Sequence, residues 1–185
     1  GALDFNLGCS GYVYGLGLAK ALVETGQATN VLLVTAETYS KFIHPKDKSV
    51  RTLFGDAGAA TLVRGVAGND EFIGPFVYGT DGSGAKNLIV PTGGMRQRVA
   101  PAGDEATMDL DGNLRGEANL YMNGPEIFAF TLRVVPKAVQ ELLARTGKDL
   151  GDIDLYVFHQ ANQYMLEHLR KKLRIPVERF FVGMR

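Results

Sequence analysis

Apolar positions along the chain follow two patterns, a three-to-four spacing and short unbroken runs. Over residues 10–25, Tyr12, Val13, Leu16, Ala19, Leu22 and Val23 recur near the spacing of one helix face, and Gly26 follows as a C′ residue. Gly11, Gly15 and Gly17 inside that helix cost roughly 1 kcal/mol each against alanine, so another segment must approach it closely. Residues 30–36 and 58–63 are apolar without alternation, the mark of strands covered on both faces. A further strand is predicted over 72–80. Residues 81–118 read as loop, rich in Gly, Asp and Asn, and a loop of that length is usually functional or a connector.

The second half repeats the alternation. Residues 125–146 predict a helix with Pro125 in its first turn, where no hydrogen bond is lost, and with Pro136 placed to kink it. Ile127, Phe128, Phe130, Val134, Val135, Val139, Leu142 and Leu143 make it apolar on nearly all sides, which predicts a buried helix. A strand over 153–158, a helix over 162–173 and a strand near 178–182 complete the order. Unalternating strands separated by helices predict an α/β layered fold with a largely parallel sheet. Residues 1–73 read as the end of one α/β half, and 74–185 as a connector followed by the start of another.

Composition narrows the function. Twenty Lys and Arg balance twenty Asp and Glu among 185 residues, which argues against a nucleic-acid or anionic-membrane surface. The 23 glycines, against about 7% in an average protein, signal tight turns and close backbone approaches. No run approaches the ~20 apolar residues of a membrane span. The first residues carry no basic segment of a signal peptide. One cysteine allows no internal disulfide, so a cytoplasmic location is the default expectation. The chain opens without methionine and ends on an apolar, strand-like run. This predicts either a fragment or a surface completed by another chain.

Two residues stand out chemically. Cys9 lies between glycines where an extended segment meets the first helix; a thiolate there is favoured by unpaired N–H groups and the helix dipole. A free cysteine is otherwise a small buried hydrophobe. His159 ends the run 155–158, and functional groups gather at the carboxyl ends of strands in α/β sheets; the alternative is a histidine satisfied at a strand end. His44 and His168 read as solvated surface. One cysteine and three scattered histidines match no metal site. Gly15-Leu16-Gly17 is no dinucleotide fingerprint, since Lys20 stands at the third glycine's place. Arg170-Lys171-Lys172 reads as a wet helix face, at best one that greets an acidic carrier protein.

The segments Asp4-Phe5-Asn6-Leu7-Gly8-Cys9-Ser10-Gly11, Phe54-Gly55-Asp56-Ala57-Gly58-Ala59, Met122-Asn123-Gly124-Pro125-Glu126-Ile127-Phe128 and His159-Gln160-Ala161-Asn162 together resemble the β-ketoacyl-[acyl-carrier-protein] synthase III family of the thiolase superfamily. Their order and spacing hold over essentially the whole chain. The resemblance implies a thiolase-like layered αβαβα fold, incomplete in this chain. It implies an acyltransferase in which Cys9 forms an acyl thioester and condenses it with malonyl-acyl-carrier protein, as in fatty acid biosynthesis. His159 would hydrogen-bond the developing enolate, and Gly124, Phe128 and Ala161 would line the pantetheine tunnel. The implied partners are acyl-carrier protein, acyl-CoA and a second copy in a homodimer. No cofactor or metal is implied; coenzyme A and carrier thioesters act as substrates.

The chain departs from that pattern in three ways. The family's third catalytic residue, an asparagine, would lie beyond Arg185, and the N-terminal part and C-terminal strand are not in this sequence, so this chain by itself is expected to be inactive. Pro125 replaces an asparagine common in elongating members. Tyr164 replaces an arginine near the tunnel mouth. Alternatives are a related acyltransferase delivering to a hydroxyl or amine, and a non-catalytic thiolase-like subunit, which would need neither Cys9 nor His159.

Overall fold

The computed structural model describes residues 1–184. A 3-10 turn at Gly8–Ser10 leads directly into helix α1, Gly11–Glu24. Thr25 caps α1, and Gly26 follows at φ 71°, the left-handed position a C′ glycine takes without a Cβ penalty. Strand β1, Asn30–Thr38, is followed by a one-turn helix α2, Lys48–Arg51, and strand β2, Asp56–Arg64. The two strands pair antiparallel from Asn30↔Arg64 to Thr38↔Asp56, where the sequence suggested a parallel sheet. Unbroken apolar runs specify burial, and pairing direction is set by the connection.

Helix α1 packs on one face of this pair and buries Leu33 and Val63. The other face is bare: Leu32, Val34 and Leu62 are 63, 60 and 62% exposed. The expectation of cover on both faces therefore fails within this chain. On α1 the contact face is narrower than the periodicity predicts, since Ala19 is buried while Tyr12 and Val13 are exposed. Its glycines have two explanations among three. Gly15 admits Leu33 and Phe5, Gly17 admits Tyr78, and nothing lies against Gly11.

Residues 72–80 form no strand. They serve instead as a strap: the Tyr78 ring lies 4.3 Å from that of Tyr14, and Arg145 donates to the Phe76 carbonyl at 2.9 Å. The connector carries two small antiparallel ladders. Strand β3 (Leu88–Ile89) and strand β4 (Thr107–Met108) pair respectively with β6 (Tyr121–Met122) and β5 (Leu114–Arg115). It docks on residues 42–50 through the Leu120 N–H to Phe42 carbonyl bond (2.8 Å) and an ion pair from Arg115 to buried Asp47.

Helix α3, Gly124–Thr146, starts at Asn123, whose side chain accepts from the Glu126 N–H, and ends at Gly147 with φ 63°. It is continuous with Pro136 inside it. It holds no buried residue, contrary to expectation, because only α4 (Gln163–Leu173) and residues 82–84 pack on it to any extent. The two strands predicted at 153–158 and 178–182 reduce to one parallel bridge, Tyr156↔Phe180. Around it Tyr156, Leu166, Leu173, Ile175 and Phe180 form the second core. No helix among the described residues is long and apolar enough to cross a membrane.

Candidate active site

Cys9 occupies the middle of the 3-10 turn that opens α1, after Gly8 at φ 52°. The positive φ suits glycine and turns the chain sharply so that the next residue faces the cleft. Cys9 is exposed and lines a cleft of about 910 Å³ bounded by residues 1–37, among them Asp4, Leu33 and Glu37. Desolvation by the surrounding chain pushes the thiol pKa above its ordinary value; a backbone hydrogen bond at Cys9 opposes this, and the Glu37 carboxylate adds to it. The thiolate expected from the helix dipole is thus not favoured here. The α-helical N–H groups start only at Gly11, two residues after Cys9.

Beside the thiol lie Glu37, at the carboxyl end of β1, and Tyr39 in the following 3-10 turn, Tyr39–Lys41. Burial, then Cys9, then Glu37 push the Tyr39 phenol upward. Tyr39 stacks on Phe54 with ring centroids 4.9 Å apart. Sequence reading passed over both residues, although the rule that located His159 at a strand's carboxyl end applies equally to Glu37.

In His159-Gln160-Ala161-Asn162, three of the four residues are engaged by the fold. Gln160 donates to the Phe158 carbonyl at 2.9 Å and accepts from the Gly183 N–H at 2.8 Å, tying the segment to the chain end. The Ala161 N–H closes a tight turn on the His159 carbonyl at 3.0 Å. The Asn162 side chain accepts from the Met165 N–H at 2.8 Å and caps α4. The His159 ring makes no hydrogen bond among the described residues. Desolvation lowers its pKa, which favours the neutral imidazole near pH 7.

Gly124 opens α3 with open space where a Cβ would stand. Phe128, one turn on, packs against Tyr164 (5.4 Å) and edge-on against His168 (5.4 Å). Tyr164 and His168 are 4.2 Å apart; His168 is exposed, as its charged helix face suggested, and also packs within this aromatic cluster. The structure thus gathers Phe128 with the start of α4, while the Cys9 cleft contains none of Gly124, Phe128, His159 or Ala161. No hydrogen bond among the described residues joins Cys9 and His159. Among the described residues no three His, Cys, Asp or Glu converge as a metal site.

Two family descriptions match the chain. Residues 3–82 match 3-oxoacyl-[acyl-carrier-protein] synthase III, and residues 143–185 match the C-terminal part of that synthase. A synthase III of Caldanaerobacter subterraneus subsp. tengcongensis is 38% identical over 99% of this chain and 52% of its own length. One of Streptomyces coelicolor is 34% identical over 96% and 51%. A 2.1 Å crystal structure of a 3-oxoacyl-(acyl-carrier-protein) synthase III shares 57% identity and superposes with a TM-score of 0.96, covering 100% of this chain and 55% of that one. The synthase of Burkholderia xenovorans LB400 gives 43% and 0.82, covering 98% and 50%. The chain spans about half the length of the relatives it matches.

Proposed function

From a chain that belongs to the 3-oxoacyl-[acyl-carrier-protein] synthase III family and has its thiolase-like α/β fold, we propose an acyltransferase that works through a thioester on Cys9. The observation that carries this reading is the division of labour in residues 159–162: three are held by the fold, and the His159 ring makes no hydrogen bond among the described residues. A neutral imidazole offers one N–H donor, which is what a developing enolate oxygen requires.

In the first half-reaction the Cys9 sulfur attacks an acyl thioester. The acyl–sulfur bond of the donor breaks, and the thiol proton leaves on the departing coenzyme A or carrier thiol. In the second, a malonyl-carrier thioester loses carbon dioxide, and the resulting carbanion attacks the Cys9 thioester. Carbon–carbon bond formation releases the Cys9 sulfur, which takes up a proton. His159 donates to the enolate oxygen while charge develops there. Gly124, Phe128 and Ala161 flank the arm that presents the substrate. No metal or cofactor takes part in this scheme.

A carrier protein as partner is supported by the groove between α3 and α4, where Arg133, Lys137 and Lys172 surround apolar Ala129, Leu132 and Pro136. Such a surface suits an acidic protein with an apolar contact. The bare face of Leu32, Val34 and Leu62 supports association with further protein surface. A homodimer, a cytoplasmic setting and a division into halves near residue 73 belong to the same proposal.

Intact-mass spectrometry after mixing the whole protein, rather than residues 1–185 alone, with acyl-CoA tests it. One acyl adduct that disappears in Cys9→Ala is the expected result. An adduct retained in that variant overturns the nucleophile assignment.

A further inference from the structure

Two apolar runs, one before His159 and one near the chain end, have the character of paired strands, yet only Tyr156 and Phe180 pair. That bridge is a regular parallel one. The Tyr156 N–H donates to the Arg179 carbonyl at 2.7 Å, and the Phe181 N–H donates to the Tyr156 carbonyl at 2.9 Å. In a parallel ladder the pattern recurs at every second residue. The next rung would join the Phe158 N–H to the Phe181 carbonyl and the Gly183 N–H to the Phe158 carbonyl. Neither bond forms among the described residues.

The Gln160 side chain stands in that rung. Its amide nitrogen donates to the Phe158 carbonyl at 2.9 Å and, more weakly, to the Phe181 carbonyl at 3.4 Å. Its amide oxygen accepts from the Gly183 N–H at 2.8 Å. A primary amide carries the donor and the acceptor of a peptide group, so it can stand between two strands and satisfy both. Three of the four backbone groups that the missing rung would have paired are bonded to this one side chain. Gly183 suits the arrangement, since a Cβ there would lie 2.9 Å from the Phe181 ring and 3.8 Å from the Gln160 amide oxygen.

The ladder thus stops where the chain must turn. Beyond Phe158 the Ala161 N–H closes its turn on the His159 carbonyl at 3.0 Å, and the Asn162 side chain caps α4. The His159 backbone is held on both sides, by Gln160 gripping the carbonyl before it and by the turn after it. Building on the acyltransferase reading, we propose that Gln160 is a positioning residue for His159: its side-chain amide replaces one rung of the parallel pair, keeps the ends of the two runs apart, and sets the direction of the imidazole. Gln160 acts through the main chain and need not touch substrate.

Two measurements on the whole protein test this. In a crystal structure of Gln160→Ala the rung should close, with the Gly183 N–H bonded directly to the Phe158 carbonyl at about 2.9 Å. In single-turnover kinetics the same variant should load Cys9 from acyl-CoA within about two-fold of the unmodified rate. Its kcat for condensation with a malonyl-carrier thioester should fall roughly 10- to 100-fold, the scale of a small misplacement of a reacting group. KM for the malonyl carrier should change little, because the loss falls on the transition state. Gln160→Glu keeps the oxygen for Gly183 but turns an acceptor toward the Phe158 carbonyl, and should lose condensation in the same way. Thermal melts show which variants fold; if Gln160→Ala does not, Gln160→Glu carries the kinetic comparison. Unchanged condensation, or equal loss of loading and condensation, overturns the positioning role. Backbones that stay apart in Gln160→Ala overturn the wedge. Failure of Cys9 to load in the unmodified protein defeats the acyltransferase reading instead, and the crystal structure then decides the wedge by itself.

Discussion

Arg115 Nε donates to Asp47 Oδ2 at 2.7 Å, and the Asp47 side chain is completely buried. The two residues are 68 apart in sequence and join the connector to the segment that leads into α2. Ser49 supplies Asp47 with two further bonds, from its N–H at 2.9 Å and its hydroxyl at 2.6 Å. Arg115 also reaches Asp109 at 2.8 Å. A long, irregular connector is thus held by one charged cluster and by Leu120, rather than by a continuous core.

Removing one partner of a buried pair typically costs about 3–5 kcal/mol. Asp47→Ala should fall at the lower end, near 3 kcal/mol, because Arg115 keeps Asp109 and some solvent contact. Urea denaturation should show the loss, with Asp109→Ala losing less. Equal stability of Asp47→Ala and the unmodified protein would mean that the connector contributes nothing to cooperativity.

The same cluster sets an acid limb. Burial alone would raise the Asp47 pKa, but hydrogen bonds from Arg115 and Ser49 outweigh it and hold it below the ordinary value. Asp109 is lowered too, chiefly by the Asn113 backbone N–H. A depressed carboxylate stabilises the fold above its unfolded pKa of about 3.9 and loses that contribution as pH falls through the folded value. Stability should therefore be flat near neutrality and decline below about pH 4. In Asp47→Asn the decline should be shallower. A steeper decline in that variant would reverse the assigned sign.

Gly17 and Tyr78 give a packing test. A Cβ at residue 17 would overlap the Tyr78 hydroxyl, and the ring is hemmed in by Tyr14 at 4.3 Å and Phe76 at 5.6 Å. Gly17→Ala gains about 1 kcal/mol of helix propensity but meets an overpacking cost of roughly 1–3 kcal/mol. Its net effect should be destabilising with Tyr78 present and near zero with Tyr78→Phe. A double-mutant cycle by thermal melting reads the difference as coupling; additive effects would show that the strap over 72–80 yields freely.

The parts of the fold legible in the sequence were those fixed by local chemistry. Gly26, Pro125 and Asn162 mark helix ends through local chemistry, and α1, α3 and α4 follow their predicted spans closely. The parts missed depend on neighbours. Residues 153–158 are apolar like a strand, yet only Tyr156 pairs, because Phe180 is its one partner. Helix α3 carries many apolar residues, but burial needs cover, and only α4 and residues 82–84 pack on it to any extent. At the site, Cys9 and His159 stood out in the sequence through their flanking motifs. Glu37 did not, because a lone carboxylate after an apolar run looks like any surface charge until the fold sets it along the cleft that holds Cys9.

On the proposed mechanism His159 serves the second half-reaction alone. No hydrogen bond among the described residues joins its ring to Cys9, so it is not seated as the thiol's base. His159→Ala should load Cys9 within a few-fold of the unmodified rate and reduce condensation by roughly 10²–10³-fold, the usual loss for one oxyanion donor. Single-turnover loading and malonyl-carrier condensation separate the two steps. Equal loss in both would make His159 the activating base instead.

We propose that Tyr164 bears on which thioester is preferred. It is 65% exposed and lies on the aromatic cluster with Phe128 and His168, two residues beyond the cap of α4. A tyrosine there offers a flat face and a neutral hydroxyl, where an arginine would offer a charge-assisted contact to phosphate. Such contacts are roughly twice as strong as neutral ones, and solvent exposure discounts them to ~0.2–1 kcal/mol. Tyr164→Arg should therefore lower KM for acyl-CoA by about two- to five-fold. It should leave the same acyl group on a carrier protein nearly unchanged, since the carrier's own surface makes contacts beyond the linker phosphate. Comparing kcat/KM for the two donors in both proteins decides the matter. An unmodified protein that already favours coenzyme A, or a variant that gains nothing, would show that residue 164 does not set donor preference.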